Sequence, residues 1–386
     1  MILFRNAEIF SPERLGRRDV LVAGNSVVAM EKRLEPSTGL PMEVVEAKGL
    51  RMIPGLIDCH VHIAGGGGEG GPATRTPELR LSQLLEGAIT SVIGCLGTDG
   101  FTRTVESVLM KAKALRQEGV SAWILTGSYQ LPTPTILGDV GRDMALIEEV
   151  IGVGEVAIAD HRSSCPTASE LIRLAEHARV GGMLGNKAGK INLHMGDARH
   201  PFALIHQAVR HSELKLTQFL PTHCNRNFHI FEEAKKYGIR GYLDLTTSSY
   251  PFFPDEEVKS SRGLAGLLKA GVPLNHITFS SDGCGSLPQF DAQGNLVKLV
   301  SGQPRSLFSE VIDAVIQEKL PLETALPVAT ANVADIWKLP NKGRIGVGLD
   351  ADLALLDSRF RLVHLLANGR FMIRDGEVVS PGTWEK

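Results

Sequence analysis

No apolar stretch in this chain approaches the ~20 residues needed to cross a bilayer, so no membrane span is expected. The amino terminus likewise lacks the long apolar core and cleavage site of a secretory signal. Charge of one sign is missing too. Forty-one basic against 43 acidic residues leave a formal charge of −2, and no long basic run occurs. This argues against nucleic acid or an anionic membrane as a partner and leaves a small substrate as the expected one. Cysteine is sparse: Cys59, Cys95, Cys165, Cys224 and Cys284 are odd in number and scattered. Such a pattern suits free thiols in a reducing cytoplasm, the expected compartment. There is no internal repeat, and the only low-complexity tract is Gly65 to Gly68.

What is present is ample apolar chain. Hydrophobic residues make up 43% and charged residues 22% of 386 positions, a globular balance. The length suits a β/α barrel of about 250 residues with a smaller appended domain. Short β-like runs fill the first 50 or so residues (Ile2 to Phe4, Asp19 to Val22, Ser26 to Met30) and return at the end (Asp352 to Leu356, Leu362 to Leu366, Arg370 to Ile373, with a turn at Asp375-Gly376). Between them, apolar runs alternate with amphipathic segments, the pattern of parallel β/α units. Eight strands are predicted: Leu56-Ile57, Thr90 to Gly94, Ala122 to Leu125, Val150 to Ala159, Ile191 to Leu193, Phe219-Leu220, Gly241 to Leu245 and His276 to Phe279. Helices are predicted at 103–117, 169–178 and 228–237. The expected fold is α/β: a (β/α)8 TIM-like barrel over 56–345, with a small β-sandwich domain built from both termini, 1–55 and 346–386.

A barrel of this kind carries its active site at the carboxyl ends of the strands, and potential metal ligands fall there. His60 and His62, two residues apart on one strand, point to the same side and can grip one ion. His194 and His223 follow later strands and would hold a second ion. Asp282 ends the eighth strand, where it can ligate the first ion and accept a proton. Glu155 lies at the end of its own apolar run. Two ions sharing a bridging hydroxide would explain so many ligands, since such a pair both generates a nucleophile and polarises a carbonyl. His161, beside Arg162, is read as structural. Cys59, Cys224 and Cys284 neighbour these sites but are not expected to be ligands.

Several short motifs carry a resemblance along nearly the whole chain. They are His60-Val61-His62-Ile63 with Gly65 to Glu69, Leu96 to Asp99, Leu125 to Tyr129, Asp160 to Ser163, His194 to Asp197, Pro221-Thr222-His223, Asn225-Arg226-Asn227 and Ser281-Asp282-Gly283. In this ordered set the chain resembles the isoaspartyl dipeptidases of the amidohydrolase superfamily. The resemblance implies hydrolysis of the isopeptide bond of β-aspartyl dipeptides, two divalent ions (zinc being the expected metal), and a homo-oligomer. It also implies roles: Glu69 would receive the substrate ammonium, and Tyr129 the developing oxyanion. Arg162 and Arg226 would take the carboxylate of the leaving residue. Ser286 and the backbone near Gly67 and Thr98 would meet the α-carboxylate of the isoaspartyl group.

One position departs from the family. Its usual bridging ligand is a carboxylated lysine, but the matching position, seven residues before Arg162, is Glu155. A glutamate keeps the single negative charge and two oxygens but is several bonds shorter. The backbone must therefore approach the ions, and Gly152 and Gly154 would permit a bulge there. No carboxylated lysine is expected. The alternatives are another amidohydrolase, such as a D-aminoacylase-like or cyclic-amide hydrolase, and a metal-free, non-catalytic superfamily scaffold.

Overall fold

The computed structural model describes residues 1–35, 39–291, 293 and 295–385. Five strands lead the chain: β1 (Ile2–Phe10), β2 (Arg14–Ala23), β3 (Ser26–Glu31), β4 (Glu43–Glu46) and β5 (Arg51–Pro54). Eight follow: β6 (Leu56–Val61), β7 (Ile89–Gly94), β8 (Ser121–Thr126), β9 (Val150–Ile158), β10 (Lys190–Met195), β11 (Phe219–Thr222), β12 (Leu243–Thr246) and β13 (Ile277–Ser280). A hairpin, β14 (Ser286–Phe290) and β15 (Leu296–Ser301), comes next. Last are β16 (Leu353–Leu356), β17 (Leu362–Ala367), β18 (Arg370–Arg374) and β19 (Glu377–Val378).

The terminal segments do meet. Their strands form a nine-stranded sheet in the order β19-β18-β17-β16-β5-β1-β2-β3, with β4 also paired to β1. Its apolar face gathers Phe4, Ile9, Val20, Val22, Met52, Leu353 and Leu355 into a core of its own. The expected sandwich thus takes the form of one continuous hydrogen-bonded sheet.

All eight predicted central strands are present. Six run parallel in the order β11-β10-β9-β8-β7-β6, and β12 pairs in parallel with β13. The two groups join at both sides. Cys224 N donates to Asp244 O at 3.1 Å on one side; Asp282 N donates to His60 O at 3.1 Å and His62 N to Gly283 O at 2.8 Å on the other. The arrangement is TIM-barrel-like. Strands such as β6, β7 and β9 are buried along their whole length, as parallel strands covered on both faces must be.

Helices cover the outside and are locally encoded. In the helix Val105–Glu118, Val105, Val108, Ala112 and Leu115 are buried at helical spacing, Thr104 caps the start and Gly119, at φ 116°, the end. In Ala168–Leu184, Thr167 and Glu170 form a reciprocal capping box. No helix among the described residues is long and apolar enough to cross a membrane.

One irregularity positions the site. Between the pairs Val153↔Ile191 and Val156↔Leu193, β9 spends one residue more than β10, so Gly154-Glu155 forms the bulge the two glycines suggested. A Cβ on Gly154 would come within 2.9 Å of the Asn192 side chain and 3.0 Å of its carbonyl oxygen, so only glycine allows the strands this approach.

Candidate active site

At the carboxyl ends of the strands the imidazoles and carboxylates converge. Glu155, 1% exposed, is central. Its Oε1 lies 2.6 Å from Nδ1 of His194 and 2.9 Å from Nε2 of His223. Its Oε2 lies 3.4 Å from Nε2 of His60 and 3.8 Å from Nε2 of His62. Asp282 Oδ1 closes the first group at 3.0 Å from Nε2 of His62. Two groups of ligand atoms result, one of His60, His62, Cys95 and Glu155 with Asp282 beside it, the other of Glu155, His194 and His223. They share one carboxylate.

The strand ends that carry these ligands turn sharply. His223 and Asp282 both adopt left-handed backbone, at φ 60° and 52°, a conformation uncommon for non-glycine residues. Rings are oriented from behind: Asn192 Oδ1 is 3.0 Å from Nδ1 of His60, and Thr246 Oγ1 is 2.7 Å from Nδ1 of His223. Each fixes which ring nitrogen faces inward. Burial pulls His223 down to about 4, so the ring is neutral and its lone pair available.

The donor set fits divalent ions. Four imidazoles and two carboxylates match zinc and similar metals, and Glu155 Oε2 and Asp282 Oδ1 are buried acceptors that face imidazole nitrogens without a hydrogen bond of good geometry. Such orphaned oxygens are costly unless a cation meets them.

Above this floor opens a cavity of about 500 Å³. His62, Gly67, Glu69, Thr98, Tyr129, Arg162, His194, His223, Arg226, Asp282 and Ser286 all line it, while His60 and Glu155 lie beneath. Gly67 takes φ 74°, and a Cβ there would strike Thr74 O at 2.6 Å. Thr98 Oγ1 donates to Glu69 Oε1 at 3.0 Å, whereas Glu69 Oε2 and Ser286 Oγ are buried without partners. The Tyr129 hydroxyl sits 2.7 Å from Nδ1 of His194. Burial first, and the Glu155 charge second, hold that phenol well above its ordinary range, so it stays a donor.

Sequence reasoning missed Asp160. Its two oxygens take Nε and Nη2 of Arg162, each at 3.0 Å, and Oδ2 lies 3.7 Å from Arg226 Nη1. Although burial opposes it, bonds from His194 and Arg162 hold this carboxyl well below its usual range. The Asp160-His161-Arg162 run was the available signal. Asn192, Thr246, Ser249 and Glu257 had none, being single polar residues. His161, read as structural, lines the cavity. Cys59 and Cys224 are buried away from the ligands, Cys59 near Asp244 and Cys224 donating to Pro221 O.

The amidohydrolase family pattern matches residues 51–381. The chain belongs to the amidohydrolase family. Among solved structures it is similar to the β-aspartyl dipeptidase of the keratin-degrading thermophile Fervidobacterium islandicum AW-1 in complex with β-Asp-Leu, at 40% identity and a TM-score of 0.92, covering 98% of this chain and 97% of that one. A second structure of that dipeptidase matches at 38% identity, a TM-score of 0.88 and 98% of each chain. Among curated relatives is the adenine deaminase of Halalkalibacterium halodurans, 23% identical over 98% of this chain; the chain spans 58% of that relative's length.

Proposed function

We propose that this amidohydrolase cleaves the isopeptide bond of β-aspartyl dipeptides, with His60, His62, Glu155 and Asp282 holding one divalent ion and Glu155, His194 and His223 a second. The observation that carries the reading is one cavity in which Glu69 and the Arg162–Arg226 pair flank the histidine–carboxylate floor. Glu69 offers its unpartnered Oε2 to an ammonium, its Oε1 lying 3.5 Å from Arg162 Nη1, and Arg162 and Arg226 offer guanidinium groups to a carboxylate. The 40% identical neighbour with β-Asp-Leu bound supports the same substrate class.

When bound, the ions would acidify a water to supply the nucleophile and polarise the scissile carbonyl. The chain's own groups do the rest. Glu69, with Oε2 free, takes the substrate ammonium, and Ser286 Oγ, Thr98 and the Gly67 backbone take the adjacent carboxylate. Arg162, held in plane by Asp160, and Arg226, held by Asp197 at 3.2 Å, fix the leaving residue's carboxylate. Tyr129 donates to the oxygen that becomes negative. Asp282 accepts the proton of the attacking water and returns it to the leaving amine.

A cyclic-amide substrate is the other reading, but it has no ammonium for the buried oxygen of Glu69. The deciding experiment is hydrolysis of β-Asp-Leu against α-Asp-Leu by the zinc-loaded protein. Selective cleavage of the β-linked peptide is expected. A protein that binds two ions and cleaves neither would refute the substrate assignment.

A further inference from the structure

Part of the cavity wall takes no role in the reaction above. It comes from the segment after β12 and the start of β14, through Ser249, Phe253, Glu256, Glu257, Leu287 and Gln289. Phe253 and Leu287 are buried and give it an apolar face. Gln289 Nε2 donates to Glu256 Oε1 at 2.6 Å, joining the hairpin to the segment.

Glu257 is the unusual member. It is 8% exposed, and its hydrogen-bond partner is the neutral hydroxyl of Ser249, which donates to Oε2. No cation lies within ion-pair distance of it among the described residues. Burial pushes the carboxyl up to about 7, with the Ser249 bond and the charge of Arg226 acting in the opposite direction. Neither Arg162 nor Arg226 lies within ion-pair distance of Glu257; they pair with Asp160 and Asp197. Lys298 on β15 does not line the cavity; its Nζ lies over the Phe252 and Phe253 rings.

We infer that this wall is the subsite for the side chain of the leaving residue, and that Glu257 makes it select side chains with an apolar stem and a cationic tip over acidic ones. The inference rests on the proposed reaction. With the isoaspartyl end at Glu69 and Ser286 and the leaving carboxylate at the two arginines, the remaining wall is where the leaving side chain extends. Phe253 and Leu287 cover a methylene stem, and Glu257 and Glu256 meet its tip. An acidic side chain would bring a further carboxylate towards the buried Glu257, which has no cation within ion-pair distance, and the exposed Glu256, an unpaired arrangement that selects against it.

The test compares kcat/KM on β-Asp-Lys, β-Asp-Leu and β-Asp-Glu for the zinc-loaded wild type, Glu257→Gln and Glu257→Lys, with a thermal melt to verify folding. The wild type is expected to favour β-Asp-Lys over β-Asp-Glu by about tenfold or more. Glu257→Gln should bring that ratio down to within about threefold, and Glu257→Lys should invert it. A ratio that is the same in wild type and a folded Glu257→Gln would overturn the subsite while leaving the reaction intact. Failure of the metal-loaded wild type on all three peptides would instead remove the reaction on which the subsite depends.

Discussion

Oε1 of Glu155 lies 2.6 Å from Nδ1 of His194. Its sister oxygen faces His60 and His62, so one unmodified side chain links the two histidine pairs. The extra residue of β9 falls at Gly154-Glu155 and sets the position of this carboxylate.

A glutamate needs no carbon dioxide to become a ligand. Zinc content and turnover after reconstitution of metal-free protein are therefore expected to be equal with and without bicarbonate. A bicarbonate-dependent rise in either would contradict the role given to Glu155. Glu155→Gln should lose at least one ion per chain by elemental analysis and more than about a hundredfold in turnover.

Asp282 both faces His62 and would carry the proton. Replacing it with asparagine should lower kcat by about 10²- to 10⁴-fold, with KM changed only a few-fold. Near-normal turnover in this variant would take the proton-transfer role away from it.

The Thr246 hydroxyl, at the cavity wall, sits 2.7 Å from Nδ1 of His223. Thr246→Val preserves shape while removing that contact. Zinc affinity measured by chelator competition should weaken about 10- to 100-fold; unchanged affinity would mean the ring is fixed by packing alone.

Glu257 also predicts a pH effect on stability. Its carboxyl rises from an ordinary 4.5 to about 7, mainly through burial, with Glu256 and Asp282 adding repulsion and Ser249 and Arg226 offsetting it. The folded state thus favours the neutral acid. The unfavourable contribution is absent below pH 4.5, grows through the interval to about 7, and levels off above it at about 3 kcal/mol. Glu257→Gln should accordingly melt near the wild type at pH 5 and above it at pH 8. A gap that is the same at both values would show that Glu257 is charged in both states.

The apolar runs made the eight central strands legible because parallel strands bury both faces and leave continuous hydrophobic text. The ligands were legible from chemistry plus position at strand ends. The β14–β15 hairpin was not, since Pro288 and Gln289 interrupt its alternation and Val297 and Lys298 are exposed. Nor could the pattern distinguish a sandwich from the continuous sheet joined through β5 and β16, because pairing partners leave no trace in one strand's periodicity. Asp160, Asn192 and Thr246 escaped for a different reason. Their importance lies in what stands opposite them across the barrel, which only folding supplies.

The backbone bonds from Asp282 to His60 and from His62 to Gly283 stitch the last strand of the ring to the first. During synthesis the two imidazoles therefore wait, for most of the chain's length, without the carboxylate that completes their set. Whatever ion they meet in that interval encounters a weaker, neutral and less selective pair of ligands. A chain truncated before Asp282 keeps Glu155, His194 and His223 and is expected to lose the first ion ahead of the second. Completion of the first ion's set is thus an event of final closure, decided when the eighth strand docks.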